Sequence, residues 1–237
     1  MVADTFLVRL YQDYQAAYEN QLARRSLGKV ILRKLILIEK DLYRLAYTDD
    51  ARDLDVFENR LLTSIKDIED ILNVLQNGGI YTDIMSANFN DVNEISERIV
   101  FSRDQEQGYA LEVIDLTPRL FDIEHIAIEL LQVINSKFFA AAQSKQATPE
   151  EVTSLLKQAD TFLLRSEENA SKILYETNRE IEGLEVEKTQ VVRWFGIIRN
   201  ATVIVATVVG VIISAITITQ VSQIIEERES YAQNLLE

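Results

Sequence analysis

The chain has 237 residues and a formal net charge of −14, with 47% hydrophobic residues, enough for a sizeable core. The acidic balance argues against nucleic acid as a partner, because phosphate binding needs clustered Lys and Arg, and against attraction of the soluble part to an anionic lipid surface. Cysteine is absent, so disulfides, zinc–thiolate sites and a cysteine nucleophile are excluded as well.

Two prolines and seven glycines leave few breaks in the chain, which favours long helices over an all-β fold. The opening residues, MVADTF, have neither a basic region nor an apolar stretch, so they do not form a signal peptide. Residues 4–47 are expected to be helical. Phe6, Leu10, Tyr14, Ala17 and Tyr18 begin a stripe at three- and four-residue spacing, and Leu27, Val30, Ile31, Leu35, Ile38, Leu42 and Leu45 continue it. TDDARD (residues 48–53) reads as a turn, with Asp53 or Asp55 as the cap of the next helix. That helix carries Phe57, Leu61, Ile65, Ile68, Leu72 and Leu75 on one face. It stops at NGG (residues 77–79), where Asn and Gly tolerate the left-handed backbone.

Residues 80–91 are expected to form a loop with a short helix. A third helix is expected over residues 92–144, with Ile95, Ile99, Leu111, Ile114, Leu120, Ile123, Ala127, Leu130, Leu131, Ile134 and Phe138 as its apolar positions. Pro118 predicts a kink near residues 114–117, and Gly108 a second weak point. The fourth helix starts at QATPEE. Thr148 is its N-cap, Pro149 its first position, and Glu151 closes a capping box. No proline follows, so this helix can continue into NATVIVATVVGVIISAITITQVSQII (residues 200–225), which carries no charge. A bilayer core of about 30 Å needs about 20 apolar helical residues, and residues 201–218 supply the run. Their Thr and Ser hydroxyls can bond back to the helix backbone, while Trp194 and Phe195 lie where an aromatic belt would sit. Arg193 and Arg199 on one side and Arg228 on the other give too weak a bias to fix orientation.

The expected fold is all-α: an elongated up-down-up-down four-helix bundle (residues 1–195), a membrane helix (residues 196–219), and the start of a further helix (residues 220–237). In that topology the N-terminus lies at the same end as the start of the membrane helix, where a second span upstream would fit.

Three features together resemble the extracytoplasmic helical-bundle input modules of bacterial transmembrane receptors of the sensor histidine kinase and chemoreceptor type. They are LARRSLGKVILRKLILIEKDLYRLAY (residues 22–47), the bundle helix that becomes the membrane helix, and QVSQIIEERESYAQNLLE (residues 220–237). The resemblance is one of architecture over nearly the whole chain. It implies ligand sensing by a bundle outside the bacterial inner membrane, in the periplasm, a cytoplasmic tail, a homodimer, and small helix movements relayed to an output domain, kinase-type foremost.

Within the chain no catalytic motif is present: there is no P-loop, GxGxxG, GxSxG or HExxH, and no carboxylate pair has a partner that would tune it for acid–base work. His125, the sole histidine, sits in EHIAIELL, which does not match a phospho-acceptor sequence, and a lone histidine builds no metal site. No cofactor or metal is expected. The candidate ligand-binding residues are Arg24 and Arg25, an Arg pair in a polar break of the first stripe. They could grip a carboxylate or another anion, or pair with Glu on a neighbouring helix. Arg44, Arg98 and Arg103 are weaker versions of the same idea, and Tyr11, Tyr14 and Tyr18 are spaced for bundle packing. The rival readings are a single-span coiled-coil assembly or tethering protein without a sensing role, and a helical pore-former, which would be expected to carry its apolar hairpin in mid-chain.

Overall fold

The computed structural model describes residues 2–89, 92–103, 111–139 and 148–234, with side chains over 9–85, 94–103, 113–138 and 148–225. The chain is predominantly helical. The order is α1 (Val2–Ala46), α2 (Ala51–Asn77), β1 (Gly79–Phe89), β2 (Val92–Phe101), α3 (Leu111–Phe139) and α4 (Pro149–Asn234). It divides into two compact units, Met1–Leu184 and Glu185–Glu237.

The apolar stripes become one core in the first unit. Leu27, Ile31, Leu35, Ile38, Leu42 and Leu45 of α1 are each at most 1% exposed. They are joined by Leu61, Ile65 and Ile68 of α2, Leu120, Ile123 and Leu130 of α3, and Leu156, Leu163 and Ile173 of α4. Burial of each Leu or Ile contributes about 1.5–3 kcal/mol, which outweighs the helix propensity of the segments that carry them. Ile114, expected in the core, is half exposed. Side-chain pairs tie the helices together: Lys34 with Asp67 and Arg60 with Asp41 between α1 and α2, and Tyr43 with Asp160 between α1 and α4. At Gly28 the side chains of Ile173 and Leu174 come so close that a Cβ would lie 3.0 Å from Leu174.

Helix ends follow local chemistry. Asp50, rather than Asp53 or Asp55, caps α2: its carboxylate accepts the Arg52 backbone N–H, and the Arg52 guanidinium first, with that backbone N–H second, holds its pKa below the usual range. At the start of α4 the expected capping box is formed. Glu151 N–H donates to Thr148 Oγ1 at 3.2 Å, and Thr148 N–H to the Glu151 carboxylate at 3.2 Å. Helix α3 runs unbroken through Pro118, and the Thr117 hydroxyl donates to the Val113 carbonyl at 3.1 Å. Gly108 lies outside the described residues.

The main departure from the expected all-α fold is a β-hairpin. Residues 79–89 and 92–101, expected as a loop and as the start of the third helix, pair antiparallel from Gly79↔Phe101 to Met85↔Ile95. An isolated two-stranded hairpin is marginal in water, and this one is anchored to the helices. Tyr81, Ile99 and Phe101 enter the core. Asn20 acts as a backbone surrogate, donating to the Ser102 carbonyl at 2.7 Å and accepting the Ser102 N–H at 2.8 Å.

Gly78 joins α2 to the hairpin with φ 75° and ψ 167°, a region open essentially to glycine alone, while its N–H donates to the Val74 carbonyl. A Cβ there would also lie 3.1 Å from the Arg103 backbone nitrogen. Gly78→Ala is therefore expected to lower unfolding free energy by about 1–3 kcal/mol, read as an earlier urea midpoint of the detergent-solubilised chain. A midpoint unchanged by the substitution would contradict this backbone geometry.

Candidate functional site

Two regions are candidates: the polar contacts inside the first unit, and the apolar part of α4. Arg24 is mostly buried, its side chain 12% exposed, and lies 3.5 Å from Glu180 and 4.0 Å from Glu176 on α4. This is the pairing with Glu on a neighbouring helix that its sequence context allowed. Arg25 beside it is half-buried. Arg44 pairs with Asp41 one turn back at 3.6 Å, Arg98 is exposed on β2, and Arg103 donates to the Gln76 carbonyl at the end of α2. Tyr14 stacks on Tyr18 with ring centroids 6.2 Å apart, and Tyr11 is half exposed. His125 is on the surface of α3, 3.3 Å from Glu129.

The structure adds polar contacts that sequence reasoning did not single out. Asp83 on β1 is 1% exposed, and Arg33 Nη2 of α1 donates to both of its oxygens at 2.5 and 2.7 Å. A buried carboxylate must be paired in this way, because desolvating a bare charge costs several kcal/mol. Tyr81, two residues earlier on the same face, is buried near Asp67 and Asp83. Burial first, and those carboxylates second, push its phenol well above the usual range, so it remains neutral. Asp41 is also 1% exposed, with Arg60 Nη2 at 3.2 Å, but no hydrogen bond is aligned on its Oδ1. It borders a groove of about 260 Å³ between α1 and α2, lined also by Lys34, Asn59, Arg60 and Thr63. A wider groove of about 520 Å³ between α3 and α4 is lined by Glu129, Gln132, Ser136, Glu151 and Ser154. Among the described residues no group of three or more His, Asp or Glu could hold a metal ion.

The second unit contains the apolar run. Over an 18-residue window α4 reaches a mean hydropathy of 2.5, with none of that window buried. The core helix of a soluble protein would be buried and a signal sequence would lie near the N-terminus; this segment does neither. It is long and apolar enough to cross a membrane. Four of its threonine hydroxyls are satisfied within the helix: Thr202, Thr207, Thr217 and Thr219 each donate to the carbonyl four residues back at 2.9 Å. Trp194 is exposed just before it. No family model, curated protein or solved structure matches the chain.

The interface of α1 with α4 contains a group that titrates abnormally. Glu167 is half-buried, and its carboxyl is raised above the usual range, first by burial and then by the charge of Glu39. A raised acid binds its proton more tightly in the folded state, so ionised Glu167 opposes folding above that pKa, and the opposition fades as pH falls through it. Glu167→Gln is expected to unfold later than the parent chain at about pH 7.5, with the gap closing by about pH 4. A gap that stays constant across this range in paired urea titrations would show that the Glu167 charge is not the cause.

Proposed function

We propose that the chain is the ligand-sensing input module of a membrane-bound bacterial receptor. In this reading the four helices form an up-down-up-down bundle outside the inner membrane. Helix α4 crosses the membrane at residues 201–218, and the tail meets a cytoplasmic output domain, kinase-type foremost. The observation that carries the reading is α4 itself. It opens with a capping box against the core and becomes lipid-compatible without an intervening breaker. The crossed pairs Lys34–Asp67, Arg60–Asp41, Tyr43–Asp160 and Arg24–Glu180 support alternating helix directions.

Sensing in this scheme requires two packings of the bundle with different ligand affinity, and no bond chemistry. Arg24 and Arg25 are the proposed ligand contacts. An anion that engages Arg24 competes with Glu176 and Glu180 for the same guanidinium, and so loosens α4 from α1 at that height. The homodimer gives each α4 a second helix to move against.

Sidedness tests the reading. The cysteine-free chain allows single reporters, Thr82→Cys in the hairpin and Ser230→Cys in the tail, probed with a membrane-impermeant maleimide on intact bacterial spheroplasts. Labelling of Thr82→Cys without lysis, and of Ser230→Cys only after permeabilisation, is the expected result. Protection of both until permeabilisation would overturn the receptor reading and favour a tethering protein with its bundle inside the cell.

A further inference from the structure

The hairpin is a two-stranded sheet, so among the described residues the outer edge of β2 has no strand beside it. The two strands differ in how they meet solvent. From Tyr81 to Asp83 β1 alternates buried and exposed, as a half-covered strand should, whereas Glu94, Ile95, Ser96, Glu97 and Arg98 of β2 are exposed in succession. Ile95 is 41% exposed although it shares the inward side with buried Ile99, and Ile84 and Val100 are exposed on the outward side. A long, open, partly apolar edge is a template for another strand.

The charges on this edge choose the strand. Glu94 and Arg98 stand four residues apart on the outward face, with Ser96 midway between them. We propose that two copies of the chain pair through antiparallel β2 edges about a two-fold axis at Ser96, joining two hairpins into a four-stranded sheet. In that register Ser96 faces Ser96, and Glu94 faces Arg98 twice. Glu97 lies opposite Ile95, so no like charges are opposed. Sliding by one residue turns the outward face inward. Sliding by two either separates the ion pairs or sets Glu97 against Glu97. Edge charges normally discourage pairing; here their spacing favours pairing in one register. The edge of β1 offers no equivalent, because its one charge, Asp83, is held by Arg33 and the strand carries no cation. The inference stands apart from the receptor reading, since it concerns only the hairpin.

Disulfide trapping of the full chain, in detergent and in native membrane vesicles, tests it. Directly opposed residues in an antiparallel pair have Cα atoms about 4.5–5.5 Å apart, within disulfide reach. Ser96→Cys introduces the chain's first thiol at the proposed axis, and copper phenanthroline serves as oxidant. Ile84→Cys, opposite Ser96 within the hairpin, is the control. Ser96→Cys is expected to form a covalent dimer about tenfold faster than the control, to lose that advantage when Arg98→Glu is added, and to regain it when Glu94→Arg is added as well. All of these side chains are exposed, so the fold tolerates the changes. Equal rates for Ser96→Cys and Ile84→Cys, or indifference to the charge exchange, would overturn the proposal.

Discussion

Burial of one seam of α1 is the constraint on which the first unit depends. Six Leu and Ile side chains between Leu27 and Leu45 are withdrawn from water almost completely. A single helix cannot cover its own apolar stripe, so α2, α3, the first part of α4 and the base of the hairpin all contribute side chains to the same core. Where Ile173 and Leu174 of α4 approach α1, the sequence has Gly28, with no Cβ to hold them away. Several polar groups drawn into this region are answered, although Asp41 Oδ1 and Gln21 Oε1 have no aligned hydrogen bond. Arg33 meets Asp83, and the buried hydroxyls of Ser166 and Thr177 donate to carbonyls four residues back.

How much of this was legible depends on whether a residue's partner was local. The stripes of α1, α2 and α4 were readable because their period is set by one helix, and the α4 cap because Thr148, Pro149 and Glu151 are neighbours. The hairpin was not. Ile95 and Ile99 are four apart, a spacing that places two residues on one face of a helix and also on one face of a strand. With Ile80, Tyr81, Ile84 and Met85 apolar on both sides of β1, period alone could not choose. The β-branched content of residues 79–101 and the NGG stop before it were the available signals.

The same logic separates the polar candidates. Arg24 stood out because it interrupts a stripe, and it is held by Glu176 and Glu180. Arg33 did not stand out, because its partner Asp83 is reached only once the hairpin exists. Helix α4 is the complementary case. Its character changes along its length from one-sided to apolar all round, and that change is written in composition, so the membrane-length run could be read directly. Nothing local encodes a ligand, since grooves such as the one beside Asp41 arise only when separate helices meet.

The central claim is that residues 201–218 lie in lipid, and it can be tested without knowing any ligand. Membranes from cells making the full chain would be washed with alkaline carbonate and compared with those from cells making a variant lacking that run. The full chain should remain in the membrane pellet and the deletion variant should leave it. Release of the full chain into the carbonate wash would contradict the account, because a helix held by hydrocarbon is not extracted by high pH.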